Sequence, residues 1–204
     1  MTILITGCAG FIGFSITRDL LSKNIKVLGV DNLNDYYSTK LKKERLKELK
    51  KNINFKFYKK DCSDENFKKF FLKNKKISQV IHLAAEVGVR NSYPKPNIYF
   101  KNNIKAFFNV LEICKIKKAN LIFASSSSTY GSSKKKFFKE SDDTSKPISF
   151  YAATKKCNEV MAYAYAKNYE FSAIGLRFFT VYGPWGRPDM SIYKFTDLML
   201  KNKK

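Results

Sequence analysis

The opening residues, MTILITGCAGFIG, limit the fold more than any other stretch of the chain. The run TILIT (2–6) is short, apolar and β-branched, the composition of a buried strand. Gly7, Gly10 and Gly13 follow as G-x-x-G-x-x-G, and an apolar helical pattern over 11–23 begins at once. Glycines here permit a tight turn, let main chain approach a pyrophosphate, and let the helix pack closely on the strand. Phe11 and Ile12 lie in the first helical turn, where free N–H groups and a partial positive charge favour phosphate. Such a triplet alone is weak evidence, and its place between strand and helix is what gives it force.

The same alternation runs through the chain. Strand-like runs at 26–30, 55–58, 79–84, 120–124 and 172–178 precede helical patterns at 39–51, 64–75, 97–117, 150–168 and 191–201. No hairpin signal interrupts them, so the pattern predicts right-handed βαβ units and a mostly parallel, doubly wound sheet between helix layers. The expectation is an α/β fold of Rossmann type, three layers αβα. Glycines and prolines gather after the strands, at the edge where open α/β sheets bind ligands.

The net charge is +22, and 39 residues are Lys or Arg. Only Arg18, Arg45, Arg90, Arg177 and Arg187 are arginines. Nucleic-acid readout favours the forked guanidinium, so the lysines read as a solvated surface and a nucleic-acid role is unlikely on this ground. Cys8, Cys62, Cys114 and Cys157 match no zinc or redox spacing, and free buried thiols are expected. His82 is the only histidine, which removes Ser-His-Asp triads and His-based metal sites; no metal is expected. The chain shows no leader pattern and no membrane-length apolar run, which together predict a cytoplasmic, membrane-free protein.

Several strand ends carry candidate binding groups. Asp31 closes the second strand, where a carboxylate can accept from a ribose 2′-hydroxyl. Asn32 follows it rather than Arg, favouring NAD over NADP. Asp61, followed by Cys62, ends the third strand. It is open between an adenine contact and an N-cap for the next helix. Leu83, Ala84 and Ala85 end the fourth, small enough for a cofactor to lie against main chain. His82 reads as a core residue. In FYAATKK, Tyr151 and Lys155 stand four apart at a helix start, hence on one face. An ammonium beside a phenol lowers its pKa, so Tyr151 is a candidate general base.

These motifs together resemble the extended short-chain dehydrogenase/reductases, and among them the NAD-dependent nucleotide-sugar epimerases, most closely UDP-glucuronate 4-epimerases. TGCAGFIG, DNLNDYY, VIHLAAEVGVRNSYPKP, ASSSSTYG, YAATKKCNE and GLRFFTVYGPWGRPDM carry the resemblance, which spans nearly the whole chain. It implies that Tyr151 takes the sugar O4 proton and that Lys155 holds the nicotinamide ribose. Ser126 would bond the reacting hydroxyl, while hydride from C4 passes to bound NAD and returns to the other face of a 4-keto sugar. It places Asn103 and Phe178 near the cofactor. On the UDP-sugar side it places Arg90, Ser92, Ser126, Ser127, Ser128, Thr180 and Arg187. Related dehydratases and decarboxylases carry acids near 127–128. Neutral serines here favour epimerisation.

The family runs beyond 300 residues. The resemblance therefore implies a cofactor domain over 1–190 and only the start of a substrate domain over 191–204, whose remainder is largely absent. It also implies a homodimer through helices near 97–117 and 150–168. Three readings stand: an epimerase, a cofactor-binding remnant without turnover, and a basic module binding nucleic acid, the last supported by charge alone.

Overall fold

The computed structural model describes residues 1–72 and 77–202. Its strands are β1 (Thr2–Thr6), β2 (Lys26–Asp31), β3 (Phe55–Lys59), β4 (Ile77–His82), β5 (Asn120–Ser126) and β6 (Ala173–Phe178). All pair in parallel in the order β3-β2-β1-β4-β5-β6. The order reverses between β1 and β4, so the crevice at their carboxyl ends is the switch point where such sheets take ligands.

The helices are α1 (Phe11–Ser22), α2 (Thr39–Leu49), α3 (Glu65–Leu72), α4 (Pro96–Tyr99), α5 (Ala106–Lys117), α6 (Phe150–Tyr169) and α7 (Ser191–Leu200). A π turn, Phe100–Lys105, joins α4 to α5 and breaks the single helix expected over 97–117. The tail of the helix expected over 64–75 and the last residues of the 191–204 segment lie outside the described residues.

Alternate residues of β1 feed two separate cores. Leu4 joins Phe67, Phe107, Val110 and Phe123 on one face, while Ile3 and Ile5 join Phe14, Leu21, Leu46 and Leu49 on the other. Every β1 side chain is buried, as a strand covered on both faces requires. The β6 edge of the sheet differs. In β6, Ile174 is 52% and Leu176 37% exposed, and α7 buries no residue.

Three expectations need correction. The fourth strand ends at His82, two residues early, and Leu83 and Ala84 reach β1 only through bonds to the Thr6 carbonyl and hydroxyl. Cys8, Cys62 and Cys114 are buried, but Cys157 is exposed on α6. The Lys-rich α2 is not wholly a solvated surface, because Lys42 and Arg45 are buried. His82 is buried, its Nδ1 paired with the Thr6 hydroxyl at 2.7 Å, and desolvation pushes it down to about 3.

Candidate active site

A cleft of about 440 Å³ opens at the carboxyl ends of the strands. One wall is the turn from β1 into α1. Gly7 has φ +74°, and a Cβ there would stand 2.7 Å from the Ala84 nitrogen. A Cβ at Gly13 would stand 2.0 Å from the Gly7 carbonyl oxygen. The first position needs a left-handed residue and the second needs empty space. The N-terminus of α1 has no side-chain cap, so its first N–H groups are available beside the cleft. Gly7, Gly10, Phe11, Ile12 and Gly13 all line this wall.

Asp31 is buried at the end of β2. Its Oδ2 accepts from the Ala9 N–H at 3.1 Å and its Oδ1 from the Leu33 N–H at 2.8 Å. Burial raises its carboxyl, opposed by those N–H groups and by Lys42 and Arg45. Each oxygen keeps a lone pair for a hydroxyl donor. Asn32, Cys62, Leu83, Ala84 and Ala85 also line this side, whereas Phe178, paired with Ser126 in the sheet, lines the other.

The other wall holds the reactive groups. Ser125 and Ser126 finish β5, and Ser126 Oγ accepts from the Ser128 N–H at 3.2 Å, capping the short 3₁₀ turn Ser127–Tyr130. The Ser126 hydroxyl keeps its hydrogen for the cleft, where the Tyr151 phenol feels it as a donor. Helix α6 starts at a second serine cap, Ser149 to the Ala152 N–H, which turns Tyr151 and Lys155 toward β5. Lys155 donates to the Ala124 carbonyl at 2.9 Å and lies 6.0 Å from the centre of the Tyr151 ring. Burial lowers this lysine from 10.5 to about 8. Burial also raises the Tyr151 phenol, opposed by the Ser126 hydroxyl and the charge of Arg187. The expected lowering of Tyr151 by Lys155 does not act in this geometry: burial is the largest influence on the phenol, and the ammonium is turned to the Ala124 carbonyl.

The NAD dependent epimerase/dehydratase family model matches residues 3–204. The chain belongs to this family. Protein CapI of Staphylococcus aureus is 47% identical over 205 residues, covering 100% of this chain and 61% of CapI. A UDP-glucuronate 4-epimerase of Thermodesulfobacterium geofontis is 46% identical over 204 residues, 98% of this chain and 62% of that protein. The crystal structure of a UDP-glucuronic acid 4-epimerase from Bacillus cereus, in complex with UDP-glucuronic acid and NAD, superposes with a TM-score of 0.91 at 36% identity. That match covers 100% of this chain and 64% of the other. The chain thus spans about three fifths of the length of these family members.

Not every residue expected from the family motifs reaches the cleft. Ser126, Ser127, Ser128, Tyr151, Lys155, Thr180 and Arg187 line it. Arg90 and Ser92 do not. Arg90 is exposed on a 3₁₀ turn, and the buried Ser92 spends its hydroxyl on the Val89 carbonyl at 2.6 Å. Asn103 sits behind the lining. Its Oδ1 accepts from the Glu86 N–H, and its Nδ2 donates to the Glu86 carbonyl and the Thr154 hydroxyl. It ties the β4 loop to α6, and the π turn is what aims it there. Asp61 does not cap α3, which begins at Glu65; its Oδ1 accepts from both the N–H and hydroxyl of Ser63, and its Oδ2 from the Asn32 amide at 3.4 Å.

Other lining residues escaped the sequence. Tyr36 and Tyr37, inside the quoted DNLNDYY, lie beneath the Arg187 guanidinium at 5.5 and 6.0 Å. Arg187 also pairs with Asp189, Nε to Oδ1 at 3.0 Å. Glu86 faces the same space, its carboxyl raised by burial and bonded to Asn102 at 3.1 Å. The aromatic pair was the available signal. Glu86 carried none. Among the described residues no group of acids, cysteines and histidine is placed to hold a metal, and no helix is long and apolar enough to cross a membrane.

Proposed function

We propose that this chain binds NAD along the glycine wall and carries the reactive centre of a UDP-sugar 4-epimerase. The residues fit the dinucleotide. Side chains at Gly7 and Gly13 would collide with main chain and force the turn apart, the α1 N-terminus is uncapped, and Asp31 can accept from a ribose hydroxyl. When bound, NAD supplies a hydride acceptor and donor for the sugar carbon. Tyr151 takes and returns the proton of the reacting hydroxyl, and Ser126, whose hydroxyl stands beside the Tyr151 phenol, orients that oxygen. Lys155 holds its place at the β5 end through Ala124. Arg187, buffered by Asp189 and two tyrosine rings, presents a guanidinium suited to a carboxylate or diphosphate.

The finer reading is UDP-glucuronate to UDP-galacturonate. It is supported by the relatives' substrates and by Ser127 and Ser128 beside Tyr151. Neutral hydroxyls there accept a carboxylate without offering an acid for elimination. Residues 1–190 would form the cofactor domain and 191–204 begin a substrate domain. Val160 and Tyr163 of α6, 58% and 68% exposed, and Phe108 of α5, 41% exposed, support pairing of two copies through these helices. A cytoplasmic setting suits a nucleotide-sugar substrate.

The juxtaposition of Ser126, Tyr151 and Lys155 across from the glycine turn carries the proposal. Incubation with UDP-glucuronate and NAD should yield UDP-galacturonate. Tyr151→Phe should slow this about 10²–10⁴-fold while NAD affinity stays within about threefold. UDP-xylose with CO₂ as products would sink the epimerase reading. NAD binding without any turnover would support a cofactor-binding unit instead.

A further inference from the structure

Arg45 has no part in the site described so far, yet its side chain is among the largest that are fully buried, at 0% exposure. It sits on α2, between lysines that face water. Its acceptors are all uncharged. Nη1 donates to the Ala9 carbonyl at 2.9 Å and to the Tyr37 hydroxyl at 2.6 Å. Nη2 donates to the Trp185 carbonyl, with the Gly186 carbonyl at 3.4 Å. Ala9 belongs to the glycine turn. Trp185 and Gly186 belong to the loop that carries Arg187. One planar fork therefore spans the two walls of the cleft.

Two further observations converge on the same junction. Trp185 has φ +64°, a conformation that costs free energy for a residue with a Cβ and persists only where its surroundings enforce it. Its ring packs on Phe14 of α1 at 5.1 Å between centroids. The loop is thus held against the cofactor side by a ring contact and by the guanidinium bonds to its carbonyls. Tyr37, which accepts from Arg45, is also one of the rings beneath Arg187.

We propose that Arg45 is a positioning residue. It clasps the Arg187 loop to the glycine turn, so that occupancy of the cofactor wall and placement of the substrate-side arginine are coupled. A buried charge of any kind would not do this. Lysine places its three donors on a single atom and lacks the two spaced nitrogens that reach Ala9 on one side and Trp185 on the other. The coupling half of the proposal rests on the NAD reading above. The clasp itself does not.

Trp185 is the only tryptophan, so intrinsic fluorescence reports the loop directly. In the wild-type chain its emission should be blue-shifted and poorly quenched by acrylamide. In Arg45→Met and Arg45→Lys the quenching constant should rise about threefold as the loop opens locally, with far-UV circular dichroism unchanged. NAD should shift the wild-type emission. In Arg45→Lys the shift should vanish while NAD affinity, measured by calorimetry, stays within about threefold. Full recovery of wild-type quenching by Lys would overturn the clasp, because a generic buried charge would then suffice. Should both variants fail to fold, Tyr37→Phe decides. It removes one acceptor, and increased quenching in a folded protein supports the clasp, whereas unchanged quenching overturns it. If NAD fails to bind the wild type by calorimetry, the cofactor reading falls, and the acrylamide comparison still judges Arg45.

Discussion

The two walls of the cleft are made of different material. On the β1 side the lining is main chain: Gly7, Gly10 and Gly13, the uncapped start of α1, and the backbone of Leu83 to Ala85. On the β5 side it is functional groups: four consecutive serine hydroxyls, a phenol, an ammonium and a guanidinium. The first wall is close-packed main chain, with no room for an added atom at Gly7 or Gly13. The second presents polar side chains held by caps and loops, which leave more slack. The contrast continues behind the walls. β1 is buried at every position, whereas β6 exposes its middle residues.

Breaking the first wall should therefore cost most. In Gly13→Ala the new methyl meets the Gly7 carbonyl carbon as well as its oxygen, and neither can rotate away. The strand, turn and helix would have to separate, a loss of about 3 kcal/mol, at the upper end for overpacking. Urea denaturation measures it, and NAD affinity should fall with it. Ser127→Ala on the second wall is the matched control and should change stability by less than about 0.5 kcal/mol. Equal costs at the two positions would erase the distinction drawn here.

The same contrast decided what could be read in advance. Strand and helix positions were visible because apolar runs and turn glycines are local signals. The fourth strand was displaced because HLAA stays apolar past the point where the sheet stops. Wall residues on glycines and serines were legible as motifs. Arg45 was not. It lies in a lysine-rich helix, and its burial depends on a carbonyl 140 residues away. Arg90 and Ser92 were misplaced because a 3₁₀ turn sets their direction, and the motif does not encode it. The spacing of Tyr151 and Lys155 revealed their proximity, but not the desolvation that raises one and lowers the other.

Lys155 carries that desolvation into a pH dependence. Its folded value is about 8, against 10.5 for a free lysine. Between these values the unfolded chain holds a proton that the folded chain has released, so this group's contribution to stability rises with pH. Below about 8 both states are charged, and the folded state bears the full cost of a buried ammonium. Lys155→Met should therefore be more stable than the wild type at pH 7, by about 1–3 kcal/mol after loss of the Ala124 bond. The advantage should shrink to nothing near pH 10.5. Urea midpoints for both proteins at pH 7 and pH 10 test this. A variant less stable at pH 7 would mean that the bond to Ala124 outweighs desolvation.

The smallest effect should come from the open edge. Ile5 and Ile174 are the same residue in parallel strands of one sheet, yet Ile5 is fully buried and Ile174 is 52% exposed. Ile5→Val removes a methyl from a packed core and should cost about 1 kcal/mol. Ile174→Val removes the same methyl from a surface that water already reaches, so little transfer free energy is lost and no cavity forms. A change below about 0.3 kcal/mol is expected, read from the same urea curves. A cost at Ile174 matching that at Ile5 would mean that β6 is covered in solution. Repeating the pair across protein concentrations would then separate the causes: a cost that grows with concentration places a second copy on β6, and a constant cost places the cover within the chain itself.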